Sequence, residues 1–112
     1  MNESETARFR ALIEARLGEL DDEDDRGAAG QETVALDQQA IGRLSRMDAL
    51  QNQAMAKAGH ARRQAERTRL HAALARIDEG EFGYCEDCGE EIATGRLELD
   101  PAAGKCIHCA AG

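Results

Sequence analysis

Cys85-Glu86-Asp87-Cys88 and Cys106-Ile107-His108-Cys109 hold all four cysteines of this 112-residue chain, with 17 residues between the two CxxC pairs. That spacing is the pattern of a structural zinc site, in which two tight loops each supply two thiolates to one tetrahedral ion. Four thiolates fill the coordination sphere and leave no open position. The metal therefore reads as one structural Zn2+ held by Cys85, Cys88, Cys106 and Cys109, not as a catalytic ion. Gly89 follows where the first loop must reverse, and glycine enters the left-handed region without steric cost. His108 lies inside the second loop as an alternative ligand, but four thiolates suffice and it reads as a solvent-facing spacer. Two disulfides are the competing use of four cysteines. The N-terminus carries no apolar segment like that of a secretory signal, which points to the cytoplasm, where thiols stay reduced. A thioredoxin-like redox CxxC needs a βαβ setting, and no such pattern is present.

Outside these pairs the chain is poor in core-forming residues. Aromatic residues make up 3%, with two Phe, one Tyr and no Trp, and charged residues make up 32%. Such a composition suits long helices packed along narrow seams better than a globular core. In the short C-terminal part, metal does what a core of that size cannot do. No run of about 18 apolar residues exists to cross a membrane. The formal net charge is -8, and four thiolates around one Zn2+ add about -2 more. So acidic a protein is repelled by nucleic-acid phosphates, which argues against sequence-specific DNA binding and for a protein partner. No nucleophile–base pair, open metal position or phosphate loop marks an enzyme.

The apolar spacing predicts a first helix over 3–20, capped by Ser4, with Phe9, Leu12, Ile13, Leu17 and Leu20 on one stripe. Asp21-Asp22-Glu23-Asp24-Asp25 opposes the dipole at a helix C-terminus, so 21–36 reads as an acidic and glycine-containing linker. A long helix follows over 37–78, with Asp37 as N-cap. Along it Met47, Leu50, Ala54, Ala58, Ala61, Ala65, Thr68, Ala72 and Ala75 keep a 3-4 alternation, widened by Leu70, Ala73, Leu74 and Ile77. Antiparallel packing sets Phe9, Leu12 and Ile13 against Leu70, Leu74 and Ile77, and Leu17 and Leu20 against Ala61 and Ala65. Lys57, Arg62, Arg63, Arg67, Arg69 and Arg76 face only Glu66 between residues 57 and 76. Pairing with Glu14, Glu19 and the 21–25 acids is the expected use of these cations, ahead of a contact patch for an anionic ligand. The expected fold is thus mainly α: an antiparallel, coiled-coil-like hairpin over 1–79 and a small four-cysteine zinc ribbon over 80–112. In the ribbon, Glu91-Ile92 and Arg96-Leu97-Glu98-Leu99 are strand candidates, and Pro101 and Gly104 turn the chain into the second knuckle.

Phe82-Gly83-Tyr84-Cys85 with Cys88-Gly89, then Ile92, Arg96-Leu97-Glu98, Pro101 and Cys106-Ile107 before Cys109, is similar to the DnaK suppressor (DksA/TraR) zinc-finger family. The resemblance is specific over 78–109, and the two preceding helices fit the family's hairpin. It implies a bacterial transcription regulator that binds RNA polymerase, inserts the hairpin into the secondary channel and alters initiation without reading promoter sequence. It also implies the alarmone ppGpp as a partner, since several members act with it. The free protein is expected to be a monomer. The best-known members carry two aspartates at the hairpin tip. Here that height falls near Gly42-Arg43-Leu44-Ser45-Arg46-Met47-Asp48-Ala49, where Asp48 is the only acid between Asp37 and Glu66. Arg43, Arg46, Met47 and Asp48 are the candidate partner-binding residues, and the missing acidic pair predicts a weaker or different regulatory effect. The other class of function is a zinc-ribbon adaptor for some protein other than the polymerase.

Overall fold

The computed structural model describes residues 1–41 and 43–111, and for 28–41 and 43–45 the backbone alone. It is mainly helical: α1 spans Glu3–Ile41, α2 Arg43–Glu79, α3 Thr94–Leu99 and α4 Ile107–Ala111. Among the described residues the one β-pairing is an isolated antiparallel bridge between Tyr84 and Glu91. The chain packs as two units, one made of Met1–Leu17 with Glu66–Gly112 and the other of Gly18–Ala65.

The helix boundaries differ from the expected 3–20 and 37–78. Asn2, not Ser4, caps α1: its Oδ1 accepts the Glu5 N–H at 2.8 Å, and the Glu at the third helical position sits as in a capping box. The 21–36 segment is helical and is not a linker. The dipole argument applies only where a helix ends, and here the acid run lies mid-helix. One of its acids is also neutralised, since Asp24 pairs with Arg63 and with His60 Nδ1, the latter at 3.2 Å. Asp37 is consequently interior to α1 and no N-cap. At the other end α2 closes as expected of a glycine stop. Gly80 at φ 76° lets its own N–H reach Ile77 O at 3.1 Å, and the Glu81 N–H reaches Arg76 O at 2.8 Å.

In the first unit, Phe9 and Ile13 of α1 and Leu70, Ala73 and Ile77 of α2 are buried. Phe82, Ile92, Leu97, Ala102 and Ala103 complete the same core from the C-terminal region. The Phe9 and Phe82 rings lie 5.6 Å apart at 46°, so the N-terminal helix packs on the segment that leads into the first CxxC. Arg10 reaches Asp78 at 2.7 Å and Arg16 reaches Glu66 at 2.6 Å. Partners move back along α2 as α1 advances, so the helices run antiparallel. In the second unit Leu20 and Ala49 are buried. The Arg63 guanidinium lies where both helices carry glycine: a Cβ on Gly59 would stand 3.2 Å from Nη1 and one on Gly27 3.5 Å from Nη2.

Two further expectations are corrected. The inner face of α2 is Ala49, Ala56, Gly59, Arg63, Glu66, Leu70, Ala73 and Ile77, while Leu50, Ala54, Ala58, Ala61, Ala65, Thr68, Ala72 and Ala75 are exposed. Leu12, placed in the α1 stripe, is exposed as well. Alanine favours helix at any position, so its recurrence carries no information about burial. The long stems of Arg63 and Glu66 meanwhile occupy seam positions that read as polar. The second correction is Arg96–Leu99, which is helix and not strand. A strand would place Leu97 and Leu99 on one face; the helix buries Leu97 and leaves Leu99 91% exposed.

Candidate metal centre

The four sulfurs of Cys85, Cys88, Cys106 and Cys109 all lie within 4.8 Å of one another, and Cys88 and Cys106 are 3.8 Å apart. A tetrahedral ion with ligands at ~2.3 Å spaces its sulfurs at about 3.8 Å, so the donor set fits one structural zinc. No disulfide links the four.

Backbone hydrogen bonds build the first loop. The Gly89 N–H donates to Cys85 O at 3.0 Å, and the Cys85 N–H donates to Glu90 O at 2.8 Å. Gly89 takes φ 75°, the role expected of it. The Ile92 N–H then bonds Gly83 O at 2.7 Å, and Gly83 at φ 91° shapes the approach to Cys85. Ala102 and Ala103 bring the chain back, Pro101 lying in the turn before them. Cys106 precedes α4 and its carbonyl accepts the Ala110 N–H at 2.9 Å. Besides the sulfurs, the loops are joined by Glu86 N–H to Gly104 O at 2.9 Å and by Lys105 Nζ to Asp87 at 3.2 Å.

The thiols are electrostatically unequal. The backbone N–H of Cys106 beside its sulfur, followed by that of Cys88, pulls Cys85 down to about 6. Hydrogen bonding to the Cys106 sulfur, and then to that of Cys85, pushes Cys109 up to about 12. Without metal the cluster thus favours a thiolate at Cys85 and a thiol at Cys109, and binding a divalent cation displaces the remaining protons. His108 is exposed, in keeping with a spacer.

Beside the loops is a cleft of about 320 Å³ lined by Arg69, Arg76, Arg96, Lys105 and Glu86, among others. Here the expected pairing of the basic α2 segment holds only in part. Arg63 meets Asp24 of α1. Arg69 instead reaches Asp100 at 2.8 Å and Arg76 reaches Glu86 at 3.0 Å, both in the C-terminal region. Of the basic α2 residues that stand out in the sequence, Arg69 and Arg76 line this cleft; nothing in the local pattern pointed to Arg96 and Lys105 as its other wall. The tip candidates Arg46, Met47 and Asp48 are exposed in the first turns of α2. Arg43 opens that helix, and its side chain lies outside the described residues.

Residues 80–112 match the prokaryotic dksA/traR C4-type zinc finger. Along 110 residues the chain is 32% identical to the RNA polymerase-binding transcription factor DksA of Escherichia coli K12, covering 97% of this chain and 71% of that protein. A protein of the same name from Haemophilus influenzae is 49% identical over 41 residues, 37% of this chain and 28% of that one. The solved structure of transcription factor DksA2 from Pseudomonas aeruginosa superimposes with a TM-score of 0.86 at 22% identity, over 99% of this chain and 84% of that chain. That likeness is one of fold, a helical hairpin with a small C-terminal domain. Identity extending along almost the whole chain, joined to a four-cysteine centre of zinc dimensions, places it: the protein belongs to the DksA/TraR family.

Proposed function

We propose that this protein binds RNA polymerase and regulates transcription initiation through the enzyme's secondary channel, with zinc as scaffold. The observation that carries the reading is the 32% identity over 97% of the chain to a protein named for polymerase binding. In this reading Cys85, Cys88, Cys106 and Cys109 are the zinc ligands and Arg43, Arg46, Met47 and Asp48 meet the polymerase. Support for the tip comes from Arg46, Met47 and Asp48, which are exposed, Met47 at 70%. An apolar side chain so exposed is available to a partner. The protein acts in the cytoplasm as a monomer, without catalytic chemistry of its own. Its acidity keeps it from reading DNA sequence. The alarmone ppGpp is the co-regulator, as the resemblance to the family implies.

Capture of purified core polymerase, followed by transcription in vitro with and without the protein and with and without ppGpp, tests the proposal. A one-to-one complex and an altered initiation rate are expected. Failure to bind polymerase at micromolar concentration would overturn it in favour of an adaptor that docks elsewhere.

A further inference from the structure

Arg76 occupies an unusual position. It lies in the last turn of α2, and its side chain is only 14% exposed. Its Nη1 donates to Glu86 Oε1 at 3.0 Å, while its Nη2 is buried without a hydrogen-bond partner. Leaving a buried guanidinium N–H unpaired is costly, so a compensating negative field is needed nearby. Glu86 supplies one charge. Glu86 is also the second residue of the first CxxC, and its own N–H is bonded to Gly104 O. Its carboxylate rests directly on Gly104, where an added Cβ would stand 2.9 Å from Cδ and Oε1. Gly104 is two residues before Cys106. One side chain of α2 therefore reaches, through a single carboxylate, both loops that carry the cysteines. Arg76 and Cys85 moreover line a common recess with Gly80, Glu81 and Tyr84. A zinc ion with four thiolates carries a net charge of about -2, which is the field a half-used guanidinium requires.

We infer that Arg76 is a positioning residue for the four-cysteine centre: through Glu86 and Gly104 it ties the end of α2 to both knuckles, and it sets how readily the metal leaves. The inference rests on the reading of zinc at these cysteines. Outer-sphere partners of metal ligands change metal affinity by about 10–100-fold when removed. A Cβ at position 104 would have to displace the Glu86 carboxylate from this place.

The test uses the full-length, zinc-loaded protein, with zinc content measured first and its release then followed with a chromogenic chelator. Arg76→Gln and Glu86→Gln are each expected to release zinc about tenfold faster, and the double variant no faster than either alone, because both break one link. Arg76→Lys retains the charge and is expected to recover most of the difference. Arg10→Gln, which removes a surface pair to Asp78 of α2 and touches neither knuckle, is the control for a general loss of stability. Helical circular dichroism at saturating zinc shows whether each variant has folded. Wild-type release kinetics in both Arg76→Gln and Glu86→Gln would overturn the inference while leaving zinc in place. Acceleration by Arg10→Gln equal to that by Arg76→Gln would overturn it too, since stability alone would then account for the effect. Wild-type protein that holds no zinc would overturn both the inference and the metal reading beneath it.

Discussion

Arg16 and Glu66 carry the clearest charge effect in the hairpin. Arg16 donates Nε and Nη2 to the two Glu66 carboxylate oxygens at 2.6 and 3.0 Å. That fork, ahead of all other influences, holds the Glu66 carboxyl below its ordinary value of 4.5. A carboxylate with a depressed folded-state pKa stabilises the fold above its unfolded pKa, and the contribution fades as pH falls through the folded one. Glu66→Gln is therefore expected to lower stability at pH 7 by about 1 kcal/mol, with the gap to wild type closing in acid below 4.5. Urea titrations of both proteins across that range measure it, and a gap independent of pH would show that the carboxylate charge plays no part. Phe9 sets a second scale of effect. It is fully buried, with its ring against Phe82, so Phe9→Ala leaves a cavity between α1 and the approach to the first knuckle and should cost about 3 kcal/mol. A thermal midpoint within a degree or two of wild type would mean the contact is not formed in solution.

The helices show what patterning can and cannot convey. The two CxxC pairs were legible because metal chemistry fixes ligand type and spacing together, and Gly89 was legible because the loop demands a positive φ, whereas Arg96–Leu99 between the pairs was misread as strand. Helix existence was legible too, and so were Phe9, Ile13, Leu20, Leu70 and Ile77 as core. What failed was the length of α1 and the face of α2. The acid run looked like a terminus because it was set against the dipole of a helix taken to end there, although its pairing with the α2 cations, realised by Asp24 with Arg63 and His60, was expected. The alanines looked like a seam because they recur at helical spacing, yet residues as long as Arg63 and Glu66 fill the seam by their stems. The glycines of these helices offer a direct test. Gly18 has nothing within 4 Å of an added Cβ, so Gly18→Ala removes a flexible residue from an exposed helix interior and should stabilise by about 0.5–1 kcal/mol. At Gly59, which is buried, the same Cβ would press on the Arg63 guanidinium at 3.2 Å. Gly59→Ala should therefore gain nothing or destabilise. Equal gains at both positions in chemical denaturation would show that Arg63 does not occupy the seam.

For the molecule as a whole, metal and tip are expected to separate fold from function. Cys88→Ser should abolish stoichiometric zinc and unfold much of 80–112, while α1 and α2, whose hydrogen bonds are internal, retain most of the helical signal. Metal analysis with circular dichroism checks this, and full zinc occupancy in the variant would refute the four-thiolate site. The tip should behave in the opposite way. Arg46, Met47 and Asp48 are exposed, so replacing them removes little that is buried, and surface substitutions of this kind change stability by less than about 0.5 kcal/mol. Their consequence must appear in a complex if it appears at all. The family's best-known members present two acids at this height, where this chain has Asp48 alone, two residues after Arg46 and flanked by the apolar Met47 and Ala49. In the proposed complex, a polymerase site that accepts acidic side chains would meet one carboxylate here and a neighbouring guanidinium, and its electrostatic response would be smaller or reversed in sign. Asp48→Asn is thus expected to keep polymerase affinity within a few-fold while shifting the effect on initiation, and Arg46→Ala to shift it in the opposite direction, because the two remove opposite charges. Binding and abortive-initiation assays on the same preparations distinguish the two quantities. If both variants bind and regulate as wild type does, the tip is not the regulatory element, and the effect on initiation must come from the ribbon.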